Sequence, residues 1–216
     1  MLTIYYINSL DVQKEIALDL LLGYLPMSFK ERALRYRSKQ DAYNFVIGRL
    51  FLKKALQESN LPLGGLETIY YNEEEKPLME GLSFSISHSN DLVACAFASG
   101  GNIGLDVEFP RAINRKHFRH CFNEKEWRKI QEDTTMHTFY TYWTQKEAIL
   151  KANGLGLGHL LDIQIESDVL AYMNNSSTNW HLKSIRFEGE EAYGCLCTDL
   201  VGEITTQKME LEELLF

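Results

Sequence analysis

The segment Asn102–Pro110, NIGLDVEFP, limits the possible folds more than any other stretch. Ile103, Leu105, Val107 and Phe109 alternate with Gly104, Asp106 and Glu108, the period of a β-strand with one apolar face. Side chains two apart point the same way, so the aliphatic face must press into a core while both carboxylates emerge together on the other. Two adjacent acids repel, and each raises the other's pKa. A solvated sheet face tolerates that. A face that Gly104 opens to close approach by another element does not, unless a cation relieves it. Magnesium suits such a site, since it takes one or two carboxylates with phosphate oxygens and retained water.

The chain can supply a core for this strand. Its 216 residues suffice for one domain or two modest ones, and 45% hydrophobic with 24% charged residues is globular composition. The formal net charge of −8 argues against nucleic acid or an anionic membrane as partner. The opening MLTIYYINSLDVQKEIALDLLLGYL lacks the basic start and cleavage site of a secretory leader, and no apolar run approaches a membrane span. The expected location is the cytoplasm. Cys95, Cys121, Cys195 and Cys197 fit there as buried thiols, without a second Cys/His pair at zinc spacing.

The order of elements suggests two related halves. A strand in LTIYYIN precedes helical spacing in DVQKEIALDLLLGYL and FKERALRYRSKQDAYNFVIGRLFLKKALQES, then strands in LETIYYN, LSFSISH and LVACAFA. NIGLDVEF opens the second half, followed by helices in NEKEWRKIQED and MHTFYTYWTQKEAILKAN and strands in LDIQIES, WHLKSIRF and AYGCLCTDL. Asn123 and Glu126 have the spacing of a capping box, and Gly154 follows Asn153 where the longer helix should stop. The expected fold class is α+β: residues 1–100 and 101–216 each form a small, mainly antiparallel sheet with packed helices, joined near Ser99-Gly100-Gly101.

Three further stretches bear on chemistry. In FSISHSNDLVACAFASGGNIGLDVEF, the third strand either completes a meander or opens the second half; in both layouts His88 reaches a rim near Asp106 and Glu108. Trp143, Glu147 and Lys151 share one helical face, where Glu147 and Lys151 by themselves read as a surface ion pair. Lys30, Arg32, Arg35, Arg37 and Lys39 form either a solvated face or, with Lys76, a clamp for an anion. A Ser87-His88 nucleophile pair is discounted, because neighbours on a strand face opposite ways and no Gly-x-Ser-x-Gly elbow is present.

Taken in order, Lys76-Pro77, FSISHS, IGLDVE and WTQKEAILKANGLGL resemble the signature of the phosphopantetheinyl transferases, in the larger single-chain, Sfp-type pseudo-dimeric class that activates carrier proteins. The resemblance covers residues 25–165 at motif level. It implies halves related by a pseudo-twofold axis with coenzyme A, the co-substrate, in the cleft between them. It implies transfer of the phosphopantetheine arm to a serine of an apo acyl or peptidyl carrier protein, with release of adenosine 3′,5′-bisphosphate. By position, Asp106, Glu108 and Glu147 would hold magnesium, and Glu147 would serve as base. Ser87 and His88 would meet the coenzyme's phosphates, Lys76 and Pro77 its adenine end, and Lys151 its pyrophosphate. Arg32 is the expected 3′-phosphate ligand, with Lys30 and Arg35 as alternatives. The N-terminal half would take the adenine and 3′-phosphate side, the C-terminal half the metal, and the protein is expected to act as a monomer. Glu75 departs from the glycine frequent in this class. Phe118 and Phe122 are either core or a patch for the carrier, beside Arg115, Lys116 and Arg119. Two rival functions use the same residues: a metal-dependent phosphohydrolase on a coenzyme A-like phosphoester, and a non-catalytic coenzyme A-binding module.

Overall fold

The computed structural model describes residues 1–59, 61, 63–174 and 178–215. Strand β1 (Leu2–Asn8) leads through helices α1 (Ser9–Glu15), α2 (Leu18–Leu22) and α3 (Met27–Ala33) to the long α4 (Lys39–Glu58). The hairpin β2 (Tyr70–Tyr71) and β3 (Pro77–Leu78) precedes β4 (Ser83–Ser89) and β5 (Leu92–Ala98). Then come β6 (Ile103–Glu108), α5 (Glu124–Glu132), α6 (His137–Asn153), β7 (Ile163–Ser167), β8 (Leu170–Met173), β9 (Asn179–Ile185), β10 (Tyr193–Thr198), β11 (Ile204–Lys208) and α7 (Leu211–Leu215).

The fold is mixed α+β. One sheet has the order β11-β1-β5-β4 and the other β6-β10-β9-β8-β7. Pairing is antiparallel except between β1 and β11, which run parallel from Leu2↔Ile204 to Tyr6↔Lys208. β6 therefore opens the second sheet and does not extend a meander from β5. A division at residues 100/101 does not follow the sheets, because β11 completes the first one and Met209 and Leu214 enter its core.

Alternation along the strands sorts residues into three cores. Val93, Cys95 and Phe97 of β5 join the core around α4, while Leu92, Ala94, Ala96 and Ala98 turn to a core shared by both sheets. Ile103, Leu105 and Val107 enter that shared core from β6. The opposite face of β6 meets α6: a Cβ on Gly104 would collide with the Ala148 carbonyl and the Ala152 nitrogen, so only glycine lets the helix backbone come this near.

Two expected helices are broken. DVQKEIALDLLLGYL divides at Ile16 and Ala17, both extended, with Ile16 packed on the first core. The basic stretch divides after Ala33, since Ser38 caps a new helix by accepting from the Asp41 nitrogen at 3.3 Å. Tyr36 folds back onto Phe45, 5.4 Å between ring centres. A continuous helix would also have crowded like charges at Arg32, Arg35 and Lys39. The capping box at Asn123 and Glu126 forms, and Gly154 ends α6 in the left-handed conformation at φ 70°. No helix among the described residues is long and apolar enough to cross a membrane.

Candidate active site

The seam between β4 and β6 positions the acids. Main-chain pairing is replaced there by serine hydroxyls: Ser85, Ser87 and Ser89 accept from the nitrogens of Leu105, Val107 and Phe109 at 2.9, 3.1 and 3.1 Å. Two of these hydroxyls then donate to carboxylates, Ser87 to Asp106 at 3.2 Å and Ser89 to Glu108 at 3.0 Å. The Trp143 indole donates to the other Glu108 oxygen at 3.2 Å. Each acid is thus aimed by a hydroxyl that the same strand's backbone holds in place.

Lys151, one turn beyond Glu147 on α6, brings its ammonium to Asp106 Oδ1 at 2.7 Å and to Ser87 Oγ at 3.0 Å. The expected Glu147–Lys151 surface pair gives way to this contact with Asp106. Asp106 is only 4% exposed, and its Oδ2 is buried with no hydrogen-bond partner. Such an orphaned anionic oxygen is costly unless a donor or cation meets it. Burial and the Asp106 and Glu108 charges push Glu147 up to about 7, against the pull of Lys151. Burial and Asp106 raise Glu108 as well. All-oxygen, anionic and partly desolvated, the donor set fits a hard divalent cation. Among the described residues, no three acid, histidine or cysteine groups enclose a metal as they stand.

A cleft of about 340 Å³ adjoins the acids, and Arg32, Lys76, Pro77, His88 and Lys151 all line it. His88 lies on the α4 side of β4, where burial, then Lys151, lowers its pKa and disfavours the imidazolium. Ser87 points to the opposite face, where Val107, Asp106 and Lys151 use its hydroxyl fully. Lys76 turns its ammonium to the Ala152 carbonyl at 2.9 Å, capping the end of α6, so its stem rather than its charge faces the cleft. Arg32 is held by the Tyr71 hydroxyl at 2.8 Å and lies over the Phe45 ring at 5.2 Å. Arg35 joins Arg32 in a wider hollow outside this cleft; Lys30 is in neither lining. Glu75 reaches both cavities from a left-handed residue, φ 62°, the conformation for which glycine is the usual choice.

Arg49 is a site residue that sequence reasoning missed. Its guanidinium stacks on Phe45 at 4.1 Å in the cleft wall, and its Nε is buried without a partner. Burial depresses its pKa. One charge inside the apolar run FVIGRLFL was the available signal, because an arginine is seldom buried without an anion to meet. The serine ladder also had a signal, the alternate serines of FSISHS.

A family model described as the 4′-phosphopantetheinyl transferase superfamily matches residues 102–200, from the acid strand through the last strand of the second sheet. The 4′-phosphopantetheinyl transferase gsp of Aneurinibacillus migulanus is 30% identical over 196 residues, covering 84% of this chain and 80% of that protein. HetI of Nostoc sp., a 4′-phosphopantetheinyl transferase, is 30% identical over 164 residues, covering 71% of this chain and 69% of that protein. Sfp of Bacillus subtilis, a protein of the same name, is 27% identical over 150 residues, covering 65% of each. With relatives of that extent matching a chain whose acid strand, serine strand and Lys151 helix converge on one cleft, the protein belongs to the 4′-phosphopantetheinyl transferase superfamily.

Proposed function

We propose that this protein moves the 4′-phosphopantetheine arm of coenzyme A to a serine hydroxyl of an acyl or peptidyl carrier protein, with magnesium, releasing adenosine 3′,5′-bisphosphate. One observation carries the reading: Lys151 lines the basic cleft and also contacts Asp106, so the anion-binding walls run directly into the acids. Arg32, Arg49 and His88 suit the coenzyme's 3′-phosphate end, and Pro77 with the Lys76 stem offers an apolar edge for its base. We assign the two halves to a pseudo-twofold arrangement, with residues 1–100, their sheet completed by β11, on the nucleotide side and the acids from 101–216, in a cytoplasmic monomer.

Asp106, Glu108 and Glu147 would hold magnesium. When bound, the ion neutralises charge that develops on the pyrophosphate oxygens, the main demand of phosphoryl transfer. The chain's own groups do the rest. Lys151 holds a phosphate oxygen in line with the incoming hydroxyl. Glu147, adjoining the ion, would accept the serine proton through its carboxylate. The Ser87 and Ser89 hydroxyls fix the acids so that little reorganisation accompanies the step. A groove lined by Phe118, Trp143, Leu157 and Leu161 lies beside these acids, and we assign it to the carrier.

The test is to incubate the protein with coenzyme A, magnesium and an apo-carrier and weigh the carrier. A gain of the phosphopantetheine mass is expected, and Asp106→Ala should abolish it while the circular dichroism spectrum is kept. Cleaved coenzyme A with an unmodified carrier would establish a phosphohydrolase instead. Intact coenzyme A and an unmodified carrier would establish a binding module.

A further inference from the structure

We infer that Lys146, the neighbour of Glu147, is a positioning residue that ties both walls of the carrier groove to α6; the inference rests on the transferase reading above. Lysine is among the residues least often fully buried, yet Lys146 is 0% exposed. Its ammonium donates to the Leu160 carbonyl at 2.8 Å and pairs with Glu126 Oε2 at 3.0 Å. It also stands 5.9 Å from the centre of the Phe122 ring. Glu126 Oε2 in turn accepts from the Asn123 nitrogen at 3.0 Å, closing the capping box that starts α5.

One buried cation therefore fastens two segments that sequence keeps apart. The Phe122–Glu126 segment continues the short turn of helix over Arg115–Cys121, which forms one wall of the groove. Leu160 belongs to the turn over Leu157–Asp162, which forms the other. Trp143, in the same helix as Lys146, lies in the groove and donates to Glu108. The groove, about 330 Å³, thus shares its reference frame with the acids.

Electrostatics supports a geometric role over a stabilising one. Burying an ion pair offers little net stability, and well-packed neutral side chains commonly serve as well or better. No aliphatic side chain can reach across α6 to hold a carbonyl and a carboxylate at once. Nor does Lys146 line the basic cleft, so its loss should affect the partner that uses the groove and spare the coenzyme.

The test is the double variant Lys146→Met with Glu126→Gln, which removes both charges and keeps an amide at the capping position. The folded variant should show at least a tenfold rise in KM for the apo-carrier, with kcat within threefold and the coenzyme A Kd within twofold of wild type. A carrier KM within twofold of wild type would overturn the inference, as would a coenzyme A Kd that weakens as much as the carrier KM. Leu157→Ser with Leu161→Ser provides a second test that leaves the core alone, since these side chains are 57% and 52% exposed; an unchanged carrier KM there removes the groove from carrier binding. Hydrogen exchange needs no carrier. Amides of 157–162 should exchange at least tenfold faster in the Lys146 variant while those of 103–108 hold, and unaltered exchange at 157–162 would overturn the tether. Failure of the wild type to modify any apo-carrier would instead strike the proposed function, leaving the exchange measurement to decide the tether.

Discussion

Lys151 Nζ stands 2.7 Å from Asp106 Oδ1, so an ammonium already occupies an oxygen that a divalent cation would use. A divalent cation bound at Asp106 would therefore compete with this ammonium for one carboxylate. Removing the ammonium as Lys151→Met should strengthen manganese binding to the coenzyme-free protein about tenfold, the scale of one nearby unit charge. Transfer should fall by roughly a hundredfold or more in the same variant, as expected for lost transition-state electrostatics. Calorimetric titration with manganese reads the first effect. An affinity equal to wild type would show that Lys151 does not oppose the metal.

Glu147 ties stability to pH with a definite sign. Its folded pKa, about 7, lies above the ordinary value of 4.5, so the folded state binds its proton more tightly. This favourable contribution is complete below about 4.5, shrinks as pH rises, and is gone above about 7. Glu147→Gln should therefore flatten the stability profile between those values and stabilise the metal-free protein at pH 8, by up to about 3 kcal/mol. Urea unfolding at pH 5 and pH 8 checks it; a variant that loses stability equally at both would contradict the assignment.

Ser87 closes a three-way contact whose loss strands several groups. Ser87→Ala leaves the Val107 nitrogen without an acceptor, Asp106 without a hydroxyl donor and Lys151 with one contact fewer. A cost of about 1–3 kcal/mol is expected. Ser83→Ala, which breaks an exposed contact to the Gly101 carbonyl, should cost less than about 1 kcal/mol. Equal costs in urea titrations would deny the seam a special role.

Glu75 holds a left-handed backbone at φ 62°, where a side chain costs about 1–2 kcal/mol. After allowing for the greater unfolded-state freedom of glycine, Glu75→Gly should stabilise by about 0.5–1 kcal/mol. Glu75→Ala keeps the Cβ and should bring no such gain. Thermal melts of the two variants separate strain relief from removal of the carboxylate.

Much of this site was legible because period-two and helical spacings report directly on faces. Asp106 with Glu108, the Gly104 approach and the helix stop at Gly154 all follow from local rules of that kind. Ser87 shows where such rules end: its position in a strand was plain, but only the meeting of two sheets reveals that β6 amides use its hydroxyl in place of a main-chain ladder. Lys76 likewise reads as a free charge in the sequence, whereas tertiary packing gives its ammonium to the end of α6. Arg49 was hidden by the apolar residues around it, and β11 by polarity, since ITTQK carries no alternation of the kind that marks a half-buried strand.

The parallel pairing of β11 with β1 has a consequence for how the protein comes to be made. An N-terminal half released from the ribosome lacks an edge strand and the contributions of Met209 and Leu214 to its core. That sheet edge and that part of the core become available to residues 1–100 only once residues 204–215 have been synthesised. Truncation before residue 204 would leave β1 as an unpaired edge of its sheet.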